Sequence, residues 1–396
     1  MPVSLAERER SALFHTYDRL TIGEVIQAEG SYIYTASGEK YLDLICGLGV
    51  TGLGHSHPKI ITAITEQAGK YLHLSNLYLQ EPQVRLAEQI KVLSGYDKVF
   101  FCNSGTEAVE GALKLARKYA SKNNRYQIFG LTNAFHGRTY GPLSLMDNAK
   151  YRAGFTPLLD GMACIDPVDL AANITEHTAA IILECIQGEG GIREVSKETV
   201  ALLKSLQQDH GILIIADEIQ SGVGRTGRFF SFESLGLRPD MVVAAKAIGG
   251  GLPLGAIIAT DEVASAFTPG VHGTTFGGNS LSCVAGSALL DELASGIMDQ
   301  VNTTSSWLFD ALKGLKEKYP DTIGEIRGKG MMIGIELGET AKHVQKALLE
   351  QHIITNVTAT SVLRLLPPLN IERNDLEKFL AVFESILIEQ LAAVEG

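Results

Sequence analysis

The chain has 396 residues, 45% of them hydrophobic and 20% charged, with a formal net charge of −11 at pH 7. That is globular composition, long enough for a large core and two domains, and its acidity with no basic block disfavours nucleic acid as a partner. The opening stretch MPVSLAERERSALF carries charges where a signal peptide needs an apolar core, and no apolar run approaches the roughly 20 residues of a membrane span. Cys46, Cys102, Cys164, Cys185 and Cys283 are odd in number and lack metal spacing. They read as reduced thiols of a cytoplasmic protein without a membrane partner.

In chain order, residues 1 to about 20 read as a short amphipathic helix, and SYIYTASGEKYLDLIC as two strands around a turn at Ser37-Gly38. In GLGVTGLGHSHP, Gly47, Gly49 and Gly52 fit a G-x-G-x-x-G pattern. His55-Ser56-His57 separate it from the helix that Pro58 begins, and no acid stands about 20 residues on, so a dinucleotide site is not indicated. The two histidines, without further ligands nearby, read as turn and packing residues. From Pro58 onward helices and strands alternate. PKIITAITEQAGKYL, EPQVRLAEQIKVLSG, SGTEAVEGALKLARKYA and SKETVALLKSLQQDHG have helical periodicity; KVFFCN, YQIFGLT, AAIILEC, Ile212–Ala216 and Met241–Ala245 read as strands. The alternation predicts an α/β fold with a mostly parallel sheet covered on both faces. After about residue 280 long helices, the strand or hairpin EIRGKGMMIGIEL, the helix AKHVQKALLEQHI, the strand VLRLLPPLNI and a closing helix predict a smaller domain. The expected division is 1–45, an N-terminal segment joining the small domain; 46–280, the large domain; and 281–396, the small domain.

The stretch from Gly211 to Gly251 carries the strongest chemical signal. One buried strand ends on Asp217-Glu218 and the next on Lys246 followed by three glycines. Charged groups are rarely buried without a partner, and the carboxyl ends of strands in open α/β sheets are where ligands bind. Asp217 and Lys246 therefore face one pocket. A lysine and a carboxylate there suit pyridoxal phosphate, whose aldehyde condenses with an amine and whose pyridine nitrogen needs an acid to keep it protonated. A structural ion pair explains the two residues equally well, and they leave both readings open.

Other segments at strand ends are individually weaker. Ser104 and Glu107 match a capping box, and Gly105 lets a ligand approach the helix N-terminus, so this is either a plain cap or a phosphate seat. Phe135 and Arg138 lie in a loop after a strand, as a surface packing pair or as a ring stack and a carboxylate grip. Glu184 and Glu189 sit in the glycine-bearing loop ECIQGEGG, a solvated turn on its own terms. A second G-x-G-x-x-G, Gly222 to Gly227, follows a polar segment and precedes FFSFE, which does not look like a helix start. Thr274 and Thr275 lie in a polar glycine loop. Arg364, within the apolar run VLRLL, implies an anionic partner, either a protein carboxylate or a substrate.

Taken in order, GLGVTGLGHSHP, NSGTEAVEGALKLARKY, AFHGRT, ECIQGEGG, ADEIQSGVGRTG, AAKAIGGGLPLGA, HGTTFGGNSLSC, GKGMMIGIEL and VLRLLPPL resemble the class III, or ω-amino-acid, pyridoxal phosphate aminotransferases over roughly residues 25–390. The resemblance implies the PLP-transferase fold type I, with a seven-stranded large domain and a small α+β domain. It makes Lys246 the residue that carries pyridoxal 5'-phosphate and Asp217 the partner of the ring nitrogen. Ser104, Gly105 and Thr106 would seat the phosphate, Phe135 would stack on the ring, Gln220 would approach the ring hydroxyl, and His136 and Glu184 would complete the cofactor site. Thr275 would reach the phosphate of a neighbouring subunit in a homodimer with shared sites. Arg138 and Arg364 would clamp carboxylates, with Glu189 neutralising Arg364 when no carboxylate is present. Two departures matter: Cys185 stands where the family often has proline, and Leu48 stands where its ornithine-specific members carry a tyrosine that reads a free amine. The second favours N2-acetylornithine, or a close acyl-ornithine, as amino donor to 2-oxoglutarate. 4-Aminobutyrate or another ω-amino acid is the alternative donor, and an aminomutase the more distant alternative.

Overall fold

The computed structural model describes residues 4–20 and 22–395, the last six of them by backbone alone. Its centre is a seven-stranded sheet. In chain order its strands are β1 (Lys98–Cys102), β2 (Gln127–Leu131), β3 (Met162–Ile165), β4 (Thr178–Leu183), β5 (Leu213–Asp217), β6 (Met241–Ala244) and β7 (Gly255–Ala259). In space the order is β1-β7-β6-β5-β4-β2-β3. Only β7 runs against the rest, pairing antiparallel with both β6 and β1. The other six strands therefore point their carboxyl ends at one edge.

Every residue of β4, β5, β6 and β7 is buried. Two-sided burial explains why these strands read as continuous Val/Ile/Ala runs rather than alternating ones. The period of two survives in the destinations. Ile181, Leu183, Ile214, Val242 and Ile258 join the larger core on one face. Ala180, Ile182, Leu213, Ile215, Val243 and Ile257 pack on the other, against Val109, Leu113 and Ala116 of the helix Gly105–Ala120.

Helices α1 (Pro58–Ala68), α2 (Glu81–Ser94), α3 (Gly105–Ala120) and α4 (Lys197–His210) match their periodic segments. Gly95 and Gly211 end α2 and α4 in the left-handed conformation. The N-terminal hairpin forms at the expected turn, with strands Tyr32–Thr35 and Lys40–Asp43 preceded by Val25–Glu29. Its sheet gains a fourth strand from Ile353–Ile354, parallel to Lys40–Asp43. A second four-stranded sheet holds β8 (Ile326–Lys329), β9 (Met332–Glu336), β10 (Asn356–Thr358) and β11 (Val362–Leu365), in the order β8-β9-β11-β10.

Several expectations are corrected. The N-terminal helix spans only Leu5–Ala12, and the expectation for residues 1–3 lies outside the described residues. β3 and β7 had no clear sequence signal: one is four residues long, and the other follows a glycine-rich stretch. A one-turn 3-10 helix does start within FFSFE, at Ser231. The helical stretch Ser280–Lys318 is long and apolar enough to cross a membrane by length and composition, with mean hydropathy 1.3 over its most apolar window. Here it packs on α1 and α2, and it places Cys283, Ala285, Leu289, Leu290 and Leu293 in the core.

Candidate active site

A cleft of about 450 Å³ opens at the carboxyl edge of the sheet, and the ends of β1, β2, β4, β5 and β6 all contribute to it. Lys246 and Asp217 both line it, as their positions at two strand ends require. They do not form the structural ion pair that the sequence left open. Asp217 is bound elsewhere, and Lys246 makes no ion pair among the described residues. Lys246 also has φ 51°, a left-handed conformation that non-glycine residues adopt under local strain, and such residues cluster at functional sites. Burial holds its amine below the ordinary lysine range and the charge of Arg364 adds to that, while Asp217, Glu184 and Glu189 oppose it.

Asp217 is buried and held on both oxygens. Oδ1 accepts the Ile219 N–H at 3.1 Å, and Oδ2 meets His136 Nδ1 at 2.7 Å. With its Nδ1 proton donated to Asp217, the buried His136 leaves Nε2 without a partner among the described residues. Glu184 is also buried, and accepts the N–H of Phe135 at 2.8 Å and of Gly188 at 3.2 Å. Burial, and then the charge of Asp217, push its carboxyl up to about 7 against those bonds and His136. Glu184 thus anchors the backbone of the Phe135 loop. Glu218, unassigned by the sequence, does the same for the next loop. It accepts from Ser221 Oγ at 2.9 Å, from Ser231 Oγ and N–H at 2.6 and 3.0 Å, and from the Phe232 N–H at 3.1 Å. An acid beside a catalytic candidate, with serines 3 and 13 residues on, was its only sequence trace.

The capping box closes on one side only. Ser104 Oγ accepts the Glu107 N–H at 3.3 Å, but Glu107 takes the N–H and Nδ2 of Asn103, each at 2.8 Å, rather than the Ser104 N–H. The first-turn N–H groups of α3 have no partner within the helix by geometry, and the positive end of its dipole faces the cleft. At Gly105 a Cβ would lie 2.8 Å from Ile219 Cδ1, so any larger residue would have to displace that side chain. Thr106 Oγ1 lies 2.8 Å from Thr139 Oγ1.

Arg364, on β11, is buried and does not itself line the cleft, but it contacts Glu189 and Gln220, which do. Its Nη1 donates to Glu189 Oε1 at 2.6 Å and to Gln220 Oε1 and Gly188 O at 3.2 Å each, and its Nε donates to Asn356 Oδ1 at 3.1 Å. The side chains of the pair are exposed to different degrees, 1% for Arg364 and 33% for Glu189. Burial pushes the Glu189 carboxyl up, but Arg364, with Lys246 and Gln220, holds it below the usual range. Gln220 therefore contacts Arg364, a bond the sequence did not suggest. Arg138 sits at the exposed rim, its guanidinium 3.7 Å from the Tyr151 ring centroid and 5.3 Å from that of Phe135. The structure leaves Thr275 exposed and outside the cleft lining. Leu48 is not in the lining either; Val50 is. Residues 46–49 all have positive φ, from 47° to 83°, so this loop makes a left-handed turn.

The residues fit pyridoxal 5'-phosphate. An amine of depressed basicity, a carboxylate with its second oxygen fixed by a buried histidine, an aromatic ring and an open helix N-terminus share one cleft. Among the described residues no cluster suits a metal ion.

The profile of the family described as Aminotransferase class-III matches residues 17–387. The acetylornithine aminotransferase of Aquifex aeolicus is 41% identical, with 95% of this chain and 99% of that protein covered. That of Methanocaldococcus jannaschii is 42% identical, covering 96% and 97%. Among solved structures, the ornithine aminotransferase of Toxoplasma gondii, seen with partial occupancy of PLP at its active site, superposes with a TM-score of 0.92 at 27% identity, covering 98% of this chain and 95% of that one. With the cleft, the fold type and the match over nearly the whole length in agreement, the chain belongs to the class-III aminotransferases and is a transaminase.

Proposed function

We propose that this enzyme transfers the terminal amino group of N2-acetylornithine, or a close acyl-ornithine, to 2-oxoglutarate with pyridoxal 5'-phosphate, in arginine biosynthesis. The observation that carries a two-substrate reading is the Arg364–Glu189 pair, whose glutamate lines the cleft with Lys246 and both of whose charges act on that amine. The 41–42% identity to acetylornithine aminotransferases supports the donor.

When bound, the cofactor supplies an aldehyde for the amine and a ring that takes up the electron pair left when a C–H bond of the substrate breaks. Lys246 would then move the proton: its Nζ takes it from the reacting carbon as a base and returns it as an acid, work that its lowered basicity suits. Asp217, fixed by His136 and the Ile219 N–H, would hold a proton on the ring nitrogen. The N–H groups of Gly105 and Thr106 would receive the phosphate, with Ser104 at their cap, and Phe135 would stack on the ring. Arg138 takes the donor's distant carboxylate. The reacting carbon of an acyl-ornithine bears no carboxylate, so Glu189 keeps Arg364 neutralised, as an unpaired buried cation would be strongly unfavourable. Glutamate and 2-oxoglutarate do carry one there, and it takes Glu189's place on Arg364.

The homodimer belongs to the same proposal. Thr275 adjoins Phe276, and the loop 274–278 is tied by Asn76 and Gln83 to the stretch holding Leu77, Tyr78 and Leu79, all exposed. A contiguous exposed apolar surface of this kind suits an interface. The domain division 1–45 with 281–396 is supported by the pairing of Ile353–Ile354 with the hairpin. A cytoplasmic location is supported by five free cysteines. The test is an amine-donor panel with 2-oxoglutarate. N2-acetylornithine or its succinyl analogue should give the highest kcat/KM. A higher value for 4-aminobutyrate or free ornithine overturns the substrate, and turnover without any oxo acid would indicate an aminomutase.

A further inference from the structure

Arg225 is a buried cation that forms no ion pair among the described residues, and burial pushes the nearby Cys46 thiol well up, so it offers no counter-charge. Its Nη1 donates to two backbone carbonyls, Met331 O at 3.2 Å and Pro367 O, and its Nη2 is buried without a partner. Its own carbonyl accepts the Met331 N–H at 2.8 Å. The contact leaves no slack: at Gly330 a Cβ would stand 2.5 Å from Arg225 O. An arginine kept in an apolar interior without a counter-charge is unfavourable, and a plain packing role would be met by a neutral side chain. What arginine adds is reach and several fixed donors.

The positions of those carbonyls give the reason. Met331 leads into β9, and Pro367 lies two residues past the end of β11. β9 and β11 pair with Gly334 opposite Arg364. One nitrogen of Arg225 therefore grips the ends of the strand that carries Arg364 and of the strand paired with it. Arg225 itself lies in the loop that follows Asp217 and runs to Ser231. Within that loop Gln220 touches the guanidinium of Arg364. The loop thus meets the Arg364 strand twice, at the side-chain head through Gln220 and at the backbone through Arg225.

We propose that Arg225 is a positioning residue for the acceptor half-reaction: it fixes β11 so that Arg364 presents its guanidinium at the right distance from Lys246 for the α-carboxylate of 2-oxoglutarate. The inference rests on the role of Arg364 proposed above. The donor half-reaction, in which Arg364 stays paired with Glu189, does not need that precision.

The test is single-turnover kinetics of the cofactor-loaded enzyme, each half-reaction read separately, for Arg225→Gln, Arg225→Lys and, as a control, Arg364→Lys. Arg225→Gln should lower kcat/KM for 2-oxoglutarate about tenfold or more, through KM, since small misplacements of a binding group have effects of that order. Its donor half-reaction should stay within about threefold of wild type. Arg225→Lys, which keeps one donor for Pro367 O, should show the same selectivity at smaller size. Equal losses in both halves, or none in either, overturn the proposal. If Arg225→Gln does not fold, Arg225→Lys decides by the same criterion. An Arg364→Lys enzyme with an intact acceptor half-reaction would remove the premise instead. Selectivity in Arg364→Lys without it in Arg225 refutes the Arg225 role alone.

Discussion

At the Asp217 end of the cleft the polar contacts are built into strand ends and backbone: Asp217 holds an N–H and a buried histidine, and Glu184 holds two N–H groups. At the Arg364 end a buried guanidinium is matched by a partly exposed carboxylate, a side-chain amide and a carbonyl. The first arrangement cannot rearrange without breaking buried hydrogen bonds to backbone and histidine. The second can exchange one carboxylate for another at small reorganisation. The contrast separates the two demands on a transaminase, since the bond-breaking chemistry is the same for both substrates and only the recognition must alternate.

Removing groups at the fixed end should affect both substrates alike. The largest effect is expected for Lys246→Ala, which takes away the cofactor attachment and the proton carrier. Both half-reactions should fall by more than about 10⁴-fold, the upper range for one acid–base group. Asp217→Asn keeps the shape but loses the charge, and should slow both halves by about 10²–10³-fold, as for loss of one preorganised electrostatic partner. Unequal effects on the two substrates in either variant would break the comparison.

At the exchangeable end the effects should split by substrate. Glu189→Gln leaves Arg364 without its anion, so the donor half-reaction should slow by about tenfold while the 2-oxoglutarate half is kept or improved. Separate half-reaction rates check this, and a reversed split would contradict the exchange. A smaller effect concerns pH. Glu184 stands at about 7 in the folded chain against 4.5 as its ordinary value, so its contribution to stability is fully present below 4.5 and lost as pH rises through about 7. In the cofactor-free protein, the Tm of Glu184→Gln relative to wild type should therefore rise as pH goes from about 4.5 to about 7 and level off above that. A difference that stays constant across that range would show that Glu184 does not titrate there.

Much of the sheet was legible because buried parallel strands leave runs such as LIIAD and MVVA, and α1 to α4 because their periodicity is long. β3 and β7 were not, since four or five residues beside glycines carry little pattern. In the site, the positions of Lys246 and Asp217 at strand ends could be read directly, whereas the roles of Arg364 and Glu189 needed the family resemblance. The His136–Asp217 bond, the left-handed backbone of Lys246 and the four donors to Glu218 depend on residues brought together across the fold. No local spacing encodes them. The half-closed capping box at Ser104 shows the limit of a motif: S-x-x-E was present, but Asn103, one residue earlier, competes for the glutamate.

The central claim is that the Lys246 amine, facing Asp217, is where the cofactor is carried. The most direct test is to load the protein with pyridoxal 5'-phosphate, reduce it with borohydride and map the labelled peptide. The account predicts one label per chain, on Lys246, with none on the Lys246→Ala protein. A label on any other lysine, or a loaded wild-type protein that takes none, would contradict it.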